Sequence, residues 1–270
     1  MNKKLRIMSA GCVCTDVFAD KNNELRPGGE SLNFCGNVCT VAGVECFLIG
    51  AVGDDEYGRA IRERISRLPI DTSHLHTLDG VTANHRIFHT SDGDRYFTDG
   101  AWDGGVLNVF KLGSEDLELL RTADAVHTHF DSPIFGQIHE LKKDSGFLLA
   151  VDFNDHRDFS DWEKILDDID LFFISGTAQD DNREILRRWS QSRSCVFVQT
   201  LAADGSVAFC GGKEYVCHAV KVENVVDTTG AGDSYIAGFT AEYAASRDIA
   251  AAMQRGSALA AVNIARLGGF

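Results

Sequence analysis

The sequence predicts an α/β fold: three layers, with a mainly parallel central sheet between helices and a small antiparallel β lid. Three observations lead there. Short apolar runs at 46–52, 125–128, 147–152, 171–175 and 195–201 alternate with helical patterns, as parallel strands buried on both faces do. The segment 81–97 differs in kind. Residues 84–90 alternate, and Ser91-Asp92-Gly93-Asp94 is a hairpin turn between two extended runs. Finally, 270 residues with 44% hydrophobic content can bury a sizeable core without staples. No repeat, low-complexity tract or linker divides the chain, so one domain spanning 1–270 is expected.

In order, residues 5–14 read as a first strand, with Gly11 marking a bend or close approach. Thr15-Asp16-Val17-Phe18 alternates and can continue as a strand. Arg26-Pro27-Gly28-Gly29-Glu30-Ser31 reads as a turn. A helix follows from Ser31, with Leu32, Cys35, Val38, Cys39 and Ala42 on one face and Gly43 as its cap. Gly53-Asp54-Asp55 is a loop into a helix over 57–68. Its acidic residues are read as capping that helix rather than as a metal site. A two-stranded ribbon at 81–98 needs a partner, and 13–19 is the natural one; together they form the lid. Later come a helix over 182–192, an edge hairpin of 207–210 and 215–220 around Gly211-Gly212, and helices over 233–246 and 249–266.

The formal net charge of -14 argues against nucleic acid or an anionic membrane as partner. No run is apolar and long enough to span a membrane, and no signal peptide precedes Met1-Asn2-Lys3-Lys4, so a cytoplasmic protein is expected. Its eight cysteines show no C-x-x-C pair, which points to reduced, mostly buried thiols rather than disulfides or zinc. His85, His89, His127 and His129 lie at period-two spacing on strands without the partners a metal needs. His127 and His129, at a strand end, can instead border a pocket.

Chemistry concentrates in Val225-Val226-Asp227-Thr228-Thr229-Gly230-Ala231-Gly232-Asp233-Ser234. The valines are expected to end an extended segment. Gly230 and Gly232 let the backbone turn, and Ile236, Phe239 and Tyr243 continue as a helix. The N–H groups at such a helix start attract anions, above all phosphate. Asp233 in that first turn has two open roles: it can cap the helix, or it can take a proton from a hydroxyl attacking a phosphoryl group.

The run Asp-Thr-Thr-Gly-Ala-Gly-Asp-Ser resembles the C-terminal signature of the ribokinase family, the PfkB-type carbohydrate kinases. The resemblance implies a ribokinase-like fold and an enzyme that transfers the γ-phosphoryl of ATP, with Mg2+, to a primary hydroxyl of a sugar or sugar derivative. Asp233 then corresponds to the catalytic base, and Gly230, Ala231 and Gly232 to the backbone anion hole. Gly28-Gly29 followed by Asn33, with Asp16, resembles the family's N-terminal sugar motif, so Asp16, Gly28, Gly29 and Asn33 are implied substrate contacts. Arg95 is a further substrate candidate, although a solvated hairpin arginine is an equal reading. Ser175, Thr200, Gly205, Thr228 and Ser257 fall in the implied nucleotide site. Metal ligands stay open; Mg2+ is expected mainly on the ATP phosphates, with Asp180 as one protein candidate.

The chain departs from the family pattern in three places. Ala202 stands where a glycine is usual, and Ser175 and Ala178 replace the Asn and Glu of Asn-x-x-Glu. The Gln179-Asp180 run, the Val81-Thr82-Ala83 and Asp94-Arg95 lid and the Gly268-Gly269-Phe270 end resemble members acting on fructosamines. The alternatives are a fructokinase, ribokinase or ketodeoxygluconate kinase, a kinase of a nucleoside or vitamin, or a sugar- or nucleotide-binding regulator without turnover. Dimerisation through the lid is a further expectation.

Overall fold

The computed structural model describes residues 3–89, 95–96, 98–157, 159–177 and 182–270, with side chains at all of these except 89, 95, 96 and 161. The chain opens with β1 (Leu5–Ala10), β2 (Cys14–Phe18), β3 (Glu24–Gly28), α1 (Glu30–Val38) and β4 (Val44–Gly53). Next come α2 (Glu56–Ile65), β5 (Ile70–Asp71), β6 (Leu75–Leu78), β7 (Asn84–His89), β8 (Arg95–Tyr96) and β9 (Trp102–Asp103). Helices and strands then alternate: α3 (Ser114–Arg121), β10 (Ala125–His129), α4 (Phe135–Lys142), β11 (Leu148–Asp152), α5 (Phe159–Trp162), β12 (Leu171–Ser175), α6 (Arg183–Ser190) and β13 (Val196–Thr200). The hairpin β14 (Ser206–Cys210) and β15 (Lys213–Cys217) precedes α7 (Ala231–Ser246) and α8 (Ile249–Ile264).

The main sheet runs β15-β14-β13-β12-β11-β10-β1-β4-β5, with β6 also on β4. All its pairs are parallel except β13–β14 and β14–β15. Along β11, Leu148 and Ala150 pack with α1, α2, α7 and α8, whereas Leu149 and Val151 pack with α4, α5 and α6. That two-sided burial is why the strand reads as an unbroken apolar run.

The lid is a second sheet, β3-β2-β7-β8 with β9 on β7. The expected partnership of 13–19 with 84–89 is present as a parallel pair, Asp16 opposite His85. Two elements exceed the expectation. Arg26-Pro27-Gly28 is not a turn but the end of β3, antiparallel to β2, and the break comes at Gly29. The first strand stops at Ala10, because Gly11 takes φ +142° and β2 crosses to the other sheet. The hairpin turn at 91–94 lies outside the described residues.

Other boundaries moved. The helix expected to reach Ala42 ends at Val38, and Gly43 belongs to the loop beyond it. The second strand of the edge hairpin ends at Cys217. Val225 and Val226 form no strand and are about half exposed, at 51% and 49%; the Val226 N–H donates to the Ile264 carbonyl at 2.8 Å, tying the loop to the end of α8. Asp55 does cap α2, accepting from the Gly58 N–H, and also from the N–H and hydroxyl of Thr82, just before β7. All eight cysteines are free thiols. No described helix is long and apolar enough to cross a membrane.

Candidate active site

β1 lies between β4 and β10, so successive connections leave it in opposite directions. Open parallel sheets hold ligands in the crevice at the carboxyl ends of the strands, where this switch occurs. A pocket of about 620 Å³ lies there. Cys12 after β1, His129 at the end of β10, Asp152 at the end of β11 and Ser175 at the end of β12 line it. The lid adds Cys14, Asp16, His85 and Trp102, and the starts of α1 and α7 add Glu30, Asn33 and Gly230 to Asp233.

Two glycines make these helix starts possible. Gly29 precedes α1 at φ +96°, and a Cβ there would lie 2.8 Å from the Cys12 carbonyl oxygen. Gly230 precedes α7 at φ +69°, where a Cβ would lie 2.7 Å from Gly269. Both need a left-handed backbone and a close approach, which only glycine combines without strain. The loop before α7 is held by buried Asp227, which accepts from the Thr229 N–H at 2.9 Å, the Thr229 hydroxyl at 2.6 Å and the Gly268 N–H at 3.0 Å. Asn263 adds a bond to the Thr229 carbonyl at 2.7 Å.

At the head of α7, the Ala231 N–H donates to the Thr228 carbonyl at 3.2 Å. Helix geometry therefore leaves the amides of Gly232 and Asp233, rather than that of Ala231, for an anion. Asp233 Oδ2 accepts from Asn33 Nδ2 at 2.9 Å, so the two sequence motifs, 200 residues apart, meet. Burial pushes the Asp233 carboxyl up to about 8, helped by the neighbouring Glu30 and Asp152 carboxylates and opposed by the Asn33 hydrogen bond and His129. Such a carboxyl takes and returns a proton near neutral pH.

His129 is buried and faces Asp131. Burial works against its charge, but the Asp131 hydrogen bond, with Asp152 and Glu30 nearby, prevails and lifts it to about 9. His127 instead stacks on Phe34 at 4.2 Å and bonds Ser9 Oγ at 2.8 Å. It does not border the pocket, and burial lowers it to about 3. Glu30 Oε2, Asn33 Oδ1, His129 Nε2 and Ser132 Oγ are buried without hydrogen-bond partners, and all four residues line the pocket. Unsatisfied buried polar atoms are rare and costly in native proteins, so their convergence marks where a polar ligand belongs.

Of the residues expected from sequence, the pocket gathers Asp16, Gly29, Asn33, Ser175, Thr228, Gly230, Ala231, Gly232 and Asp233. Gly28 stands just behind; a Cβ on it would lie 3.8 Å from Asp16 Oδ2 and 3.7 Å from Asn33 Oδ1. Thr200, Gly205 and Ser257 do not line this pocket. Ser257 Oγ accepts from the Val220 N–H at 3.0 Å. Ala202 sits at φ +50°, so the position asks for the glycine it lacks. The Arg95 side chain and Asp180 fall outside the description.

Sequence reasoning missed Glu30, Asp131 and Asp152. Asp152 carries a readable signal, a carboxylate closing an apolar parallel strand. Glu30 was hidden in what read as a turn. Away from the pocket, His74 Nδ1 and His76 Nε2 converge on Asp116 Oδ1 at 2.7 and 2.9 Å. Among the described residues, this trio, not the strand histidines, has ligand atoms close enough to hold a metal.

A pfkB family carbohydrate kinase profile matches residues 7–269. The chain belongs to that family. It is 33% identical over 263 residues to the fructoselysine 6-kinase of Shigella flexneri, covering 96% of this chain and 97% of that protein. It is 24% identical over 275 residues to a fructosamine kinase of Bacillus subtilis, covering 98% and 93%. Among solved structures, Arabidopsis thaliana ribokinase complexed with ribose and ATP is similar in fold, with TM-score 0.80, 18% identity and 99% and 94% coverage. Adenosine kinase from Sinorhizobium meliloti is likewise similar, with TM-score 0.81, 23% identity and 98% and 95% coverage. The fold is ribokinase-like, and this pfkB member is a sugar kinase.

Proposed function

We propose that this pfkB kinase phosphorylates the 6-hydroxyl of a fructosamine, with fructoselysine as the leading substrate and ATP as donor. The observation that carries the reading is the charge of the pocket. Asp16, Glu30 and Asp131 line it together with Asp152 and Asp233, whose carboxyls burial raises, and among the described lining residues His129 alone is pushed toward its cationic form. A neutral sugar leaves that excess uncompensated, whereas an Amadori sugar brings an ammonium. The names of the similar fructoselysine and fructosamine kinases agree.

In this reading Asp16 and Asn33 hold the sugar hydroxyls, both accepting, Asp16 through its carboxylate and Asn33 through its amide oxygen, since Asn33 Nδ2 is engaged by Asp233. Asp233 takes the proton from the 6-hydroxyl as that oxygen bonds to the γ-phosphorus. The bond from the γ-phosphorus to the β-bridging oxygen breaks, and ADP departs with the electron pair. The amides of Gly232 and Asp233 at the α7 terminus stabilise charge on the transferring phosphoryl. Asp152, beside Asn154 and Ser175, offers the hard oxygen donors that Mg2+ requires. When bound, Mg2+ would neutralise phosphate charge. The β2–β7 lid closes the pocket against water, which limits ATP hydrolysis.

The test is ADP release across fructoselysine, other fructosamines, fructose, ribose and ketodeoxygluconate, wild type beside Asp233→Asn. Turnover that depends on Asp233 and favours fructosamines is expected. A preference for any neutral sugar overturns the substrate, and turnover indifferent to Asp233 overturns the mechanism.

A further inference from the structure

Phosphoryl transfer gives Glu30 no task, yet the fold spends a buried carboxylate oxygen on it. Glu30 opens α1 directly after Gly29 and lines the pocket. Its charge acts on Asp233 and Asp152 and also on His85, Cys12 and Cys14. It shares the pocket wall with Asp233 and with the lid residues Cys14 and His85. Its Oε2 is buried without a partner. An ionised oxygen in that state is expensive unless a cation or donor arrives with the ligand.

The neighbours say which cation. Cys12, Cys14 and His85 line the same pocket as Glu30 and lie within its electrostatic reach. Mg2+ prefers a shell of oxygens and waters, which Asp152, Asn154 and Ser175 would offer instead. An ammonium needs only acceptors and tolerates the thiol and ring surfaces beside it. Asn33, which touches Asp233, follows Glu30 by three residues on the same helix. The pair shares a face and is separated by about 4.5 Å along the axis. A ketose whose 6-hydroxyl meets Asp233 thus runs back along α1 toward Glu30.

We propose that Glu30 is the amine subsite: its Oε2 accepts an N–H of the protonated secondary amine that joins the ketose to its amino acid. This rests on the fructosamine reading above. It makes Glu30 the residue by which the pocket distinguishes an Amadori sugar from a plain hexose.

The experiment compares dissociation constants for fructoselysine and for its ether analogue, with oxygen in place of the linking nitrogen. Both are measured calorimetrically on wild type, Glu30→Gln and Glu30→Asp. The wild type should favour the amine by ~10-fold or more, as a charge-assisted bond does. Glu30→Gln should erase that ratio while still binding the ether, which also shows that it is folded. Glu30→Asp should retain part of it. A ratio unchanged in Glu30→Gln, or equal loss of both ligands, overturns the subsite and leaves the fructosamine reading standing. A wild type with no amine preference sinks both.

Discussion

Asp233→Asn should make the enzyme inactive and more stable at once. The folded carboxyl sits at about 8 against its ordinary value of 3.8. Between those values the folded chain keeps a proton that the unfolded chain releases, so the group's stability contribution falls as pH rises from about 4 to about 8 and is flat beyond. At pH 7 the difference of about three units corresponds to about 4 kcal/mol at most. Asp233 is partly open to the pocket, and water there reduces this to about 2 kcal/mol. Asparagine carries no charge to bury and can still accept the Asn33 bond. For a chain of this size the gain is roughly 4–8 °C in Tm, and it should shrink toward pH 5. Turnover should drop by roughly 10²–10⁴ with the base removed. Thermal melts from pH 5 to pH 8, beside coupled ADP assays, read both effects. A variant no more stable than wild type at pH 8, or a stability difference independent of pH, would refute the buried-charge argument.

Further outcomes follow from individual contacts. Wild-type kcat/KM should rise with pH to a plateau above about 8, as the Asp233 carboxylate forms. Asn33→Ala removes the hydrogen bond that holds Asp233 down, so that rise should move to still higher pH; a profile that stays put argues that the bond does not tune the base. Gly230→Ala, at φ +69° and against Gly269, should cost about 1–3 kcal/mol in denaturant melts and most of the turnover. Ala202→Gly relieves a left-handed alanine; after the flexibility it adds to the unfolded chain, stability should change by less than about 1 kcal/mol, upward. Measured ADP affinity would then show whether the missing glycine matters to the nucleotide.

Much of the fold was legible because its signals are local. The apolar runs of β10 to β13 announce a sheet buried on both sides, and the alternation over 84–89 announces the lid. The strand β3 was not legible, since Pro27 and Gly28 read as turn residues. An edge strand tolerates them, because its outer N–H groups need no partner. The Asp227–Asp233 run was legible for the same local reason: small residues before a helical period expose backbone amides wherever they occur.

Local pattern alone specified the layered α/β class, the lid, the glycine turn at Gly230 that opens a helix and the aspartate in its first turn, because each depends on residues within one turn or strand. Packing across the whole chain was needed to bring Asn33 to Asp233, to set Glu30 on the same hollow and to push His129 up while His127 is pushed down. Those properties come from burial and from charges brought together across as many as 200 residues. No local spacing encodes the dielectric a side chain will meet once the chain has closed around it.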